Sequence, residues 1–382
     1  MNKLKVMTVF GTRPEALKMA PLVKELEKHP HDIQSIVTVT AQHREMLDQV
    51  LSIFNIQPNY DLNIMKNRQT LTDITTRALE GLQAVIEQEQ PDLVLVHGDT
   101  TTTFVASLAA FYQKVKIGHV EAGLRTYDKY SPYPEEMNRQ LTGALADLHF
   151  APTIKAYNHL VAENKKSDAI FVTGNTAIDA LKTTVFSGYQ HQVLQHIQQD
   201  RLLLVTAHRR ENLGKPMEQI FRAIRRIVND HPDVQVVFPV HLNPSIQNLS
   251  KDILGGEKRI HLIPPLHVLD FHNFAAKAHL ILTDSGGVQE EAPSLGVPVL
   301  VLRETTERPE GIDAGTLKLV GTSEDVIYEE TSKLLVDDKL HQSMAKAKNP
   351  YGDGKASERI VKAILYYFQK ENTRPDPYMV NV

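Results

Sequence analysis

Cysteine and tryptophan are both absent from the 382 residues of the sequence. The absence of Cys excludes disulfides, thiolate nucleophiles, Cys-type zinc sites and iron–sulfur clusters. An excess of charge of one sign is also missing, because 42 Lys and Arg face 46 Asp and Glu and leave a formal net charge of −4. A chain so close to neutral gives no reason to expect nucleic acid as a partner.

Long hydrophobic runs are missing as well, since no apolar stretch approaches the about 20 residues that a membrane span needs. The run at residues 6–10 is too short for a signal-peptide core and ends at Gly11. We therefore expect a cytoplasmic protein with no membrane partner. The apolar fraction of 42% is ordinary for a globular protein, and the length predicts two or three domains.

Short apolar runs alternate with segments of helical period. The predicted strands are residues 5–10, 33–38, 92–97, 116–120 and 170–172, and then 202–206, 235–239, 260–263, 279–283 and 298–302. Between them, an apolar stripe at spacings of three and four predicts an amphipathic helix through Leu71, Ile74, Ala78, Leu82 and Val85. Continuously apolar strands separated by helices indicate parallel βαβ units, so the predicted fold class is α/β with Rossmann-like, doubly wound sheets.

The series of strands restarts near Arg201, after a polar stretch at residues 187–200. We therefore predict an N-terminal domain at residues 1–175, a C-terminal domain at residues 176–356 and a final helical segment at residues 357–382. In doubly wound sheets ligands bind at the carboxyl ends of the strands, so the residues that follow strands are the first candidates for a site.

The turn after the first strand runs from Gly11 into a predicted helix that carries Arg13 and Lys18. Such a turn can present backbone N–H groups to an anion, although a tight turn with solvated charges explains the same residues. The dinucleotide fingerprint G-x-G-x-x-G and the P-loop motif are both absent, and so is the metal-binding motif H-E-x-x-H. We expect no redox cofactor and no metal.

Carboxylates follow two of the first-half strands. Asp99 and Glu121 each lie where a parallel strand ends, and Glu135 lies at a predicted helix start. A lone carboxylate at such a place is commonly a helix cap or a solvated charge. Several carboxylates in one site repel one another, so that the pKa of one rises and it can carry a proton at neutral pH. The group therefore favours acid–base chemistry.

In the second half, His208 and Arg209 follow one strand, and His241 follows another. Arginine suggests a phosphate ligand, and His208 could transfer a proton, although a hydrogen-bonded structural histidine is the plain alternative. Ser285, Gly286 and Gly287 follow a further strand, where exposed N–H groups would favour phosphate. Glu291, one turn on, suits ribose hydroxyls. The alternative there is a simple glycine turn.

Several segments together resemble the non-hydrolysing UDP-N-acetylglucosamine 2-epimerases. They read TVFGTRPEALK, HGDTTTT, HVEAGLRT, PEEMNR, TAHRREN and LTDSGGVQEEAPSLG in chain order, and the resemblance covers nearly the whole chain. It implies interconversion of UDP-N-acetylglucosamine (UDP-GlcNAc) and UDP-N-acetylmannosamine (UDP-ManNAc). It also implies a glycosyltransferase-B-like fold with two Rossmann-like domains facing a cleft, a homodimer and no redox cofactor.

The resemblance also implies residue roles. The catalytic positions are Asp99, Glu121, Glu135 and His208, and the positions that bind substrate or UDP are Arg13, Lys18, Phe271, Ser285, Gly286, Gly287, Glu291 and Arg308. Residues that look like a second, allosteric UDP-GlcNAc site are Gln42, His43, Arg68, Gln69, Arg209 and His241. The N-terminal domain would then carry the carboxylates and the C-terminal domain would bind UDP, with the final helix packing back on the first domain.

The implied mechanism eliminates UDP to give 2-acetamidoglucal and then adds it back, for the supply of surface polysaccharide or teichoic acid precursors. Three alternatives remain open. The first is a hydrolase that releases N-acetylmannosamine or an epimerase of a modified UDP sugar, the second is a glycosyltransferase of the same fold, and the third is a sugar-nucleotide sensor without activity.

Overall fold

The computed structural model describes residues 3–42, 44–66, 68–197 and 200–380. They form two compact units. Unit 1 consists of the described residues within Met1–Ala180 and Gly352–Met379, and unit 2 of those within Leu181–Tyr351 together with Val380. The boundaries predicted from the sequence, at residues 175 and 356, lie a few residues from the limits of these units.

The strands formed by the described residues belong to two sheets. The strands are β1 (Leu4–Phe10), β2 (Ile33–Val39), β3 (Tyr60–Asp61), β4 (Leu93–His97), β5 (Lys116–Val120), β6 (Leu148–Ala151), β7 (Ile170–Val172), β8 (Arg201–Thr206), β9 (Val234–Pro239), β10 (Ile260–Ile263), β11 (Leu280–Thr283), β12 (Val299–Val301) and β13 (Leu317–Leu319).

The α-helices lie between the strands and after them. They are α1 (Arg13–Glu27), α2 (Arg44–Ile53), α3 (Leu71–Glu89), α4 (Thr101–Tyr112), α5 (Glu135–Leu145), α6 (Ile154–Ala162), α7 (Thr176–Thr184), α8 (Gln192–Ile197), α9 (Lys215–Asp230), α10 (Pro244–Leu254), α11 (Val268–Lys277), α12 (Gly286–Glu291), α13 (Pro309–Asp313), α14 (Glu324–Val336), α15 (Asp338–Ala345) and α16 (Ala356–Tyr367). No described helix is both long enough and apolar enough to span a bilayer.

Every strand pairing in the two sheets is parallel. Unit 1 has the order β3-β2-β1-β4-β5-β6-β7 and unit 2 the order β10-β9-β8-β11-β12-β13. Both orders run outward from a central strand in the two directions, as in doubly wound nucleotide-binding folds. The predicted α/β class with two such sheets is confirmed. The order reverses between β1 and β4 in unit 1 and between β8 and β11 in unit 2, where ligands of this fold bind.

Both faces of the unit 2 sheet are buried, which explains why its strands are apolar throughout. Along β8, Leu203 and Val205 lie in one hydrophobic cluster, whereas Leu202 and Leu204 lie in another. Alternate residues of a strand point to opposite faces, so a strand covered by helices on both sides needs apolar residues at every position. Helix α9 covers the first face through residues at helical spacing: Met217, Ile220, Phe221, Ile224, Ile227 and Val228.

In unit 1, the predicted amphipathic stripe forms the buried face of α3. Ile74, Ala78, Leu82 and Val85 are buried, whereas Leu71 at the first position is 40% exposed. Three strands were not predicted from the sequence: β3, β6 and β13. They have two to four residues, and two of them contain a charged residue. A short run stays ambiguous without the neighbouring strand with which it pairs.

Helix α16 returns the end of the chain to unit 1, where it packs against α1. Its first N–H groups are satisfied by a residue far away in the sequence. Both oxygens of the buried Asp179 accept hydrogen bonds there, from the N–H of Ala356 (3.1 Å) and of Ser357 (2.8 Å). A carboxylate at this end also opposes the positive end of the helix dipole.

Candidate active site

Neighbouring strands of unit 1 bring two of the predicted carboxylates to one edge of the sheet. His97, the last residue of β4, pairs with Val120, the last residue of β5. Glu121 follows β5 directly, and Asp99 follows β4 after Gly98. Both acids therefore leave the sheet at the carboxyl ends of adjacent parallel strands, as the sequence predicted.

Two side chains donate hydrogen bonds to Glu121 and hold it as an ion, and a histidine lies nearby. The Nζ of Lys18 and the Nδ2 of Asn175 donate to its Oε2, the latter over 2.8 Å, and the Nε2 of His97 lies 3.7 Å from the same oxygen. Burial by itself raises the pKa of this carboxyl, but the Lys18 ammonium and the other groups around this oxygen together outweigh burial and hold the pKa below its ordinary value. The backbone of Glu121 has a φ of 62°, a left-handed conformation that is uncommon outside glycine and clusters at functional sites.

The pKa of Asp99 is shifted in the opposite direction, upward. Burial raises its pKa to about 6, and the nearby Glu121 and Glu135 add to the rise, although Arg139 opposes it. The guanidinium of Arg139 lies 2.9 Å from Oδ2 of Asp99, and the Nδ2 of Asn138 donates to its backbone carbonyl over 3.0 Å. Two carboxyl groups whose pKa values are pushed apart can divide the tasks of proton donor and proton acceptor near neutral pH.

Glu135, the first residue of α5, lies beside a cavity of unit 1. The cavity has a volume of about 410 Å³ and is lined by residues that include Arg13, Gln42, Leu71, Thr101, Glu135 and Asn138. Leu71 accordingly faces this cavity rather than the core, which explains its exposure. The structure thus brings the predicted Arg13, Gln42 and Glu135 to one cavity, while Lys18 contacts Glu121.

Helix α1, which carries Arg13 and Lys18, begins after a capping box formed by Thr12 and Glu15. Thr12 caps the helix and accepts from the N–H of Glu15, whose carboxylate accepts in return from the N–H of Thr12 over 2.8 Å and of Gly11 over 3.0 Å. The carboxylate of Glu15 therefore takes up N–H groups that the sequence suggested for an anion. Arg13 and Lys18 remain as the cationic groups of this turn.

In unit 2, the buried Asp284 fixes the segment that carries His208. Its Oδ2 accepts from the backbone N–H of His208 and of Arg209, each over 2.8 Å, and its Oδ1 lies 3.2 Å from the Nδ1 of His208. Burial lowers the pKa of His208, and the neighbouring His241 and Arg209 add to this, whereas Asp284 opposes it. The ring of His241 stacks on that of His208 with centroids 5.8 Å apart.

The segment after β11 brings the predicted Gly286 and Arg308 into contact. A Cβ at Gly286 would lie 3.0 Å from the Cζ of Arg308, so the guanidinium occupies the space that a side chain would take. Arg308 is itself held by Glu290, which accepts from its Nε over 2.9 Å. Ser285 and Gly287 flank Gly286, and the helix α12 that starts there has six residues.

Glu291 lies at the end of α12 and is oriented by a neighbouring helix. Its Oε2 lies 3.3 Å from the Nε2 of His272, whose Nδ1 shares a hydrogen bond of 2.7 Å with the hydroxyl of Thr184. Phe271, which precedes His272 in α11, is partly buried in the core of unit 2. The predicted Glu291 and Phe271 therefore lie beside a buried histidine that the sequence did not single out.

The residues of the predicted allosteric site are divided between the two units. Gln42, Arg68 and Gln69 belong to unit 1, and Arg209 and His241 to unit 2. The amide oxygen of Gln42 accepts from Thr102 over 3.3 Å, and that of Gln69 accepts from the N–H of Lys66 over 3.2 Å. The sixth predicted residue, His43, lies outside the described residues.

Sequence reasoning assigned no role to four groups that orient these side chains: Asn138, Arg139, Asn175 and Asp284. Asn175 lies 54 positions from the carboxylate that it contacts, and no local motif links such residues. Asp284 did carry a signal, because it is the first residue after a buried strand and precedes the Ser-Gly-Gly turn. Among the residues that the structure describes, no group of His, Asp and Glu could hold a metal ion.

Known proteins resemble the chain over its full length. The family model for UDP-N-acetylglucosamine 2-epimerase matches residues 24–365. The UDP-N-acetylglucosamine 2-epimerase of Bacillus subtilis (strain 168) is 64% identical over 378 residues, which cover 99% of this chain and 99% of that protein. A crystal structure of a UDP-N-acetylglucosamine 2-epimerase is 62% identical with a TM-score of 0.94, and the match covers all of both chains.

A further solved structure contains a ligand. It is the UDP-GlcNAc 2-epimerase from Neisseria meningitidis bound to UDP-GlcNAc, which is 51% identical with a TM-score of 0.84 over 95% of this chain and 100% of that one. The match with the family model extends over far more than half of the sequence, and the identities hold over nearly all of it. The chain therefore belongs to the UDP-N-acetylglucosamine 2-epimerase family.

Proposed function

We propose that the chain catalyses the reversible, non-hydrolytic epimerisation of UDP-GlcNAc to UDP-ManNAc at C2. One observation carries this proposal beyond membership of the family: Asp99 and Glu121 leave neighbouring strands with pKa values shifted in opposite directions. An isomerisation that removes a proton and returns it needs one group that holds a proton and another that accepts one.

The chemistry explains why UDP takes part. The C2 proton of an N-acetyl sugar is barely acidic, so its removal is difficult unless the bond from C1 to the UDP oxygen breaks as the proton leaves. The electron pair of the C2–H bond then forms the C1=C2 double bond of 2-acetamidoglucal. UDP adds back to C1, and a proton is delivered to the opposite face of C2. Substrate and product have the same composition, and no redox cofactor is needed.

Asp99 is the best-suited proton carrier on one face, because a pKa of about 6 lies near the operating pH. Glu121, which Lys18 keeps ionised, and Glu135 are the candidates for the other face. Each such group contributes typically about 10²–10⁴-fold to the rate.

The departing diphosphate requires positive charge, because catalysis rewards interactions that strengthen as charge develops. We assign this task to Arg13 and Lys18 in unit 1 and to His208 in unit 2. UDP itself would be held by unit 2, through Phe271, Ser285, Gly286, Gly287, Glu291 and Arg308. The contact of Gly286 with Arg308 supports this assignment, because the absence of a side chain there lets the guanidinium approach the backbone.

Further proposals rest on the family resemblance. They are a second, regulatory UDP-GlcNAc site that involves Gln42, His43, Arg68, Gln69, Arg209 and His241, a homodimeric state, a cytoplasmic location, and a role in precursor supply for surface polysaccharide or teichoic acid. Light scattering tests the dimer, and the dependence of the rate of UDP-ManNAc turnover on added UDP-GlcNAc tests the regulatory site.

The central proposal is tested by incubating the protein with UDP-GlcNAc in D₂O and following the sugar by NMR. We expect UDP-ManNAc to appear with deuterium at C2, because the proton must pass through a group that exchanges with solvent. Free N-acetylmannosamine would instead identify a hydrolase. Unchanged UDP-GlcNAc with undiminished UDP binding would favour a glycosyltransferase or a sensor and would overturn the proposal.

A further inference from the structure

The segment that carries Asp99 is a sharp turn rather than a regular element. Gly98 follows β4 with a φ of 67°, in the left-handed region that glycine adopts without strain. Its N–H donates to the carbonyl of Val120 at the end of β5 over 2.9 Å. Its carbonyl oxygen belongs to the same peptide unit as the N–H of Asp99. The orientation of that peptide therefore sets the direction in which Asp99 leaves the turn.

His119 holds this carbonyl. The imidazole Nε2 of His119 lies 2.7 Å from the carbonyl oxygen of Gly98, and the residue is fully buried within β5. A carbonyl oxygen can only accept, so Nε2 must carry the hydrogen and His119 must be the Nε2–H tautomer. Both backbone groups of Gly98 are thus bound to two successive residues of one strand.

The second nitrogen of the ring supports a positioning role for this bond. The Nδ1 of His119 is buried, and no hydrogen-bond partner for it lies among the described residues. A buried polar atom without a partner is unfavourable, and an apolar side chain of similar size would avoid that cost. The imidazole differs from such a side chain in one favourable contact, the hydrogen bond from Nε2 to the carbonyl oxygen of Gly98. Burial also lowers the pKa of His119 to about 3, so the ring stays neutral and keeps this tautomer at physiological pH.

We propose that His119 is a positioning residue of the active site, which fixes the peptide between Gly98 and Asp99 and through it the carboxyl of Asp99. The inference rests on the proposed function, in which Asp99 exchanges a proton with C2. Without the imidazole N–H, the buried carbonyl of Gly98 loses its partner and the peptide is free to turn toward water. Asp99 then leaves its place beside Arg139.

The sheet offers a matched control. His149 in β6 is paired with His119 in the register of the two strands and is equally buried, and burial lowers its pKa as well. In the described structure His149 makes no hydrogen bond to the turn that carries Asp99, and its Nδ1 likewise has no partner. Replacing His149 therefore removes a buried imidazole from the same sheet without touching that turn.

The test compares His119→Leu, His119→Gln and His149→Leu. We expect His119→Leu to lower kcat by about 10–100-fold with KM changed less than about threefold, because small misplacements of reacting groups cost factors of this order. It should also move the acidic limb of the kcat–pH profile, since the pKa of Asp99 depends on its distance from Arg139. His119→Gln, whose amide N–H can replace the imidazole donor, should restore most of kcat. His149→Leu should change Tm by about as much as His119→Leu does, but it should retain kcat within about twofold.

If His119→Leu does not fold, His119→Asn takes its place, because its shorter amide cannot reach Gly98 and it should lose the kcat that His119→Gln keeps. If the folded His119→Leu or His119→Asn protein keeps a normal kcat and pH profile, the positioning role of His119 is wrong. The same holds if His149→Leu loses as much kcat as His119→Leu. Either result leaves the proposed function standing. Absence of C2 exchange in the unchanged protein would overturn the proposed function as well.

Discussion

At the scale of single residues, Asp99 and Glu121 show how neighbours decide the behaviour of chemically similar groups. Both lie at the end of the sheet, where the side chain of Glu121 is 11% exposed and that of Asp99 is 32% exposed. Glu121 has an ammonium group and an amide on one oxygen, which compensate for burial, whereas Asp99 has a single guanidinium, which does not. The difference keeps Glu121 ionised and gives Asp99 a pKa close to neutral pH.

Replacing Asp99 with Asn should remove the proton carrier and preserve the shape of the site. We expect kcat for conversion of UDP-GlcNAc to fall by about 10²–10⁴-fold, the usual contribution of a general acid–base group. Thermal unfolding serves as the control, because the variant should melt close to the unchanged protein. A folded Asp99→Asn protein with near-normal kcat would exclude Asp99 from proton transfer.

Replacing Lys18 with Met should change the protonation of Glu121. Without the ammonium group, the largest influence that lowers the pKa of Glu121 is lost and the pKa rises, so less of the carboxylate is ionised than in the unchanged protein. We expect kcat to fall and part of the loss to be recovered as the pH is raised. The matched control is Lys18→Arg, which keeps the positive charge. A loss of equal size at every pH would show that Lys18 acts on the substrate and not through Glu121.

At the scale of elements, strands β4, β5 and β6 each bury a histidine. Burial lowers the pKa of His97 and His149 to about 4 and that of His119 to about 3, whereas the unfolded chain binds protons near 6.5. Protons therefore favour the unfolded state, and the stability that these rings contribute is lost as the pH falls below about 6.5. Asp99 acts in the opposite sense, because its raised pKa favours folding below about 6.

The three rings outnumber Asp99, and the lowered pKa of Glu121 acts in the same sense as the rings, so we expect Tm to fall as the pH is lowered from 6.5 toward 4. The measurement is a series of thermal unfolding curves across that range. His149→Leu should make Tm depend less on pH, because it removes one of the three buried histidines and changes no residue of the proposed site. A Tm that is constant or rises toward acid pH would contradict the assignment of these rings as neutral.

The start of α16 depends on Asp179. Asp179→Ala should leave the N–H groups of Ala356 and Ser357 without acceptors, which costs about 0.5–2 kcal/mol for the loss of a capping side chain. Hydrogen exchange should show the loss of protection in α16. Asp179→Asn keeps an acceptor and should be affected less. Unchanged exchange rates at residues 356–367 would mean that packing against α1 alone defines this end.

The sequence was sufficient to predict the long apolar strands and the acids that follow them, because both signals are local. Strands β3, β6 and β13 could not be predicted in this way, since their few residues become strands only by pairing with a neighbour. Likewise Asp99 and Glu121 were predicted from strand ends, but Asn175 and Arg139 were not. Their roles depend on contacts between distant segments, which composition and spacing do not encode.

At the scale of the whole molecule, the two units differ in how the chain builds them. Unit 2 is essentially continuous and has its own six-stranded sheet with buried clusters on both faces. Unit 1 is assembled from the beginning and the end of the sequence. A domain with its own core can in principle fold alone, whereas a domain that lacks one of its packed helices exposes an apolar face.

We therefore expect a fragment of residues 176–351, which includes all of α7, to fold by itself. Circular dichroism should show helix and strand content together with one cooperative thermal transition. A fragment of residues 1–180 should be less stable and less soluble, and adding residues 352–382 as a separate peptide should improve both. A non-cooperative transition in the first fragment would show that unit 2 needs the rest of the chain.

The return of α16 to unit 1 has a consequence for biosynthesis. The ribosome makes α1 before unit 2 and its packing partner α16 after unit 2. During synthesis the face of α1 that packs against α16 therefore stays exposed until the whole of unit 2 has been made, and unit 2 can fold in the meantime. Completion of unit 1 therefore depends on synthesis of α16, so a chain terminated before α16 would carry Asp99 and Glu121 in an incomplete unit 1.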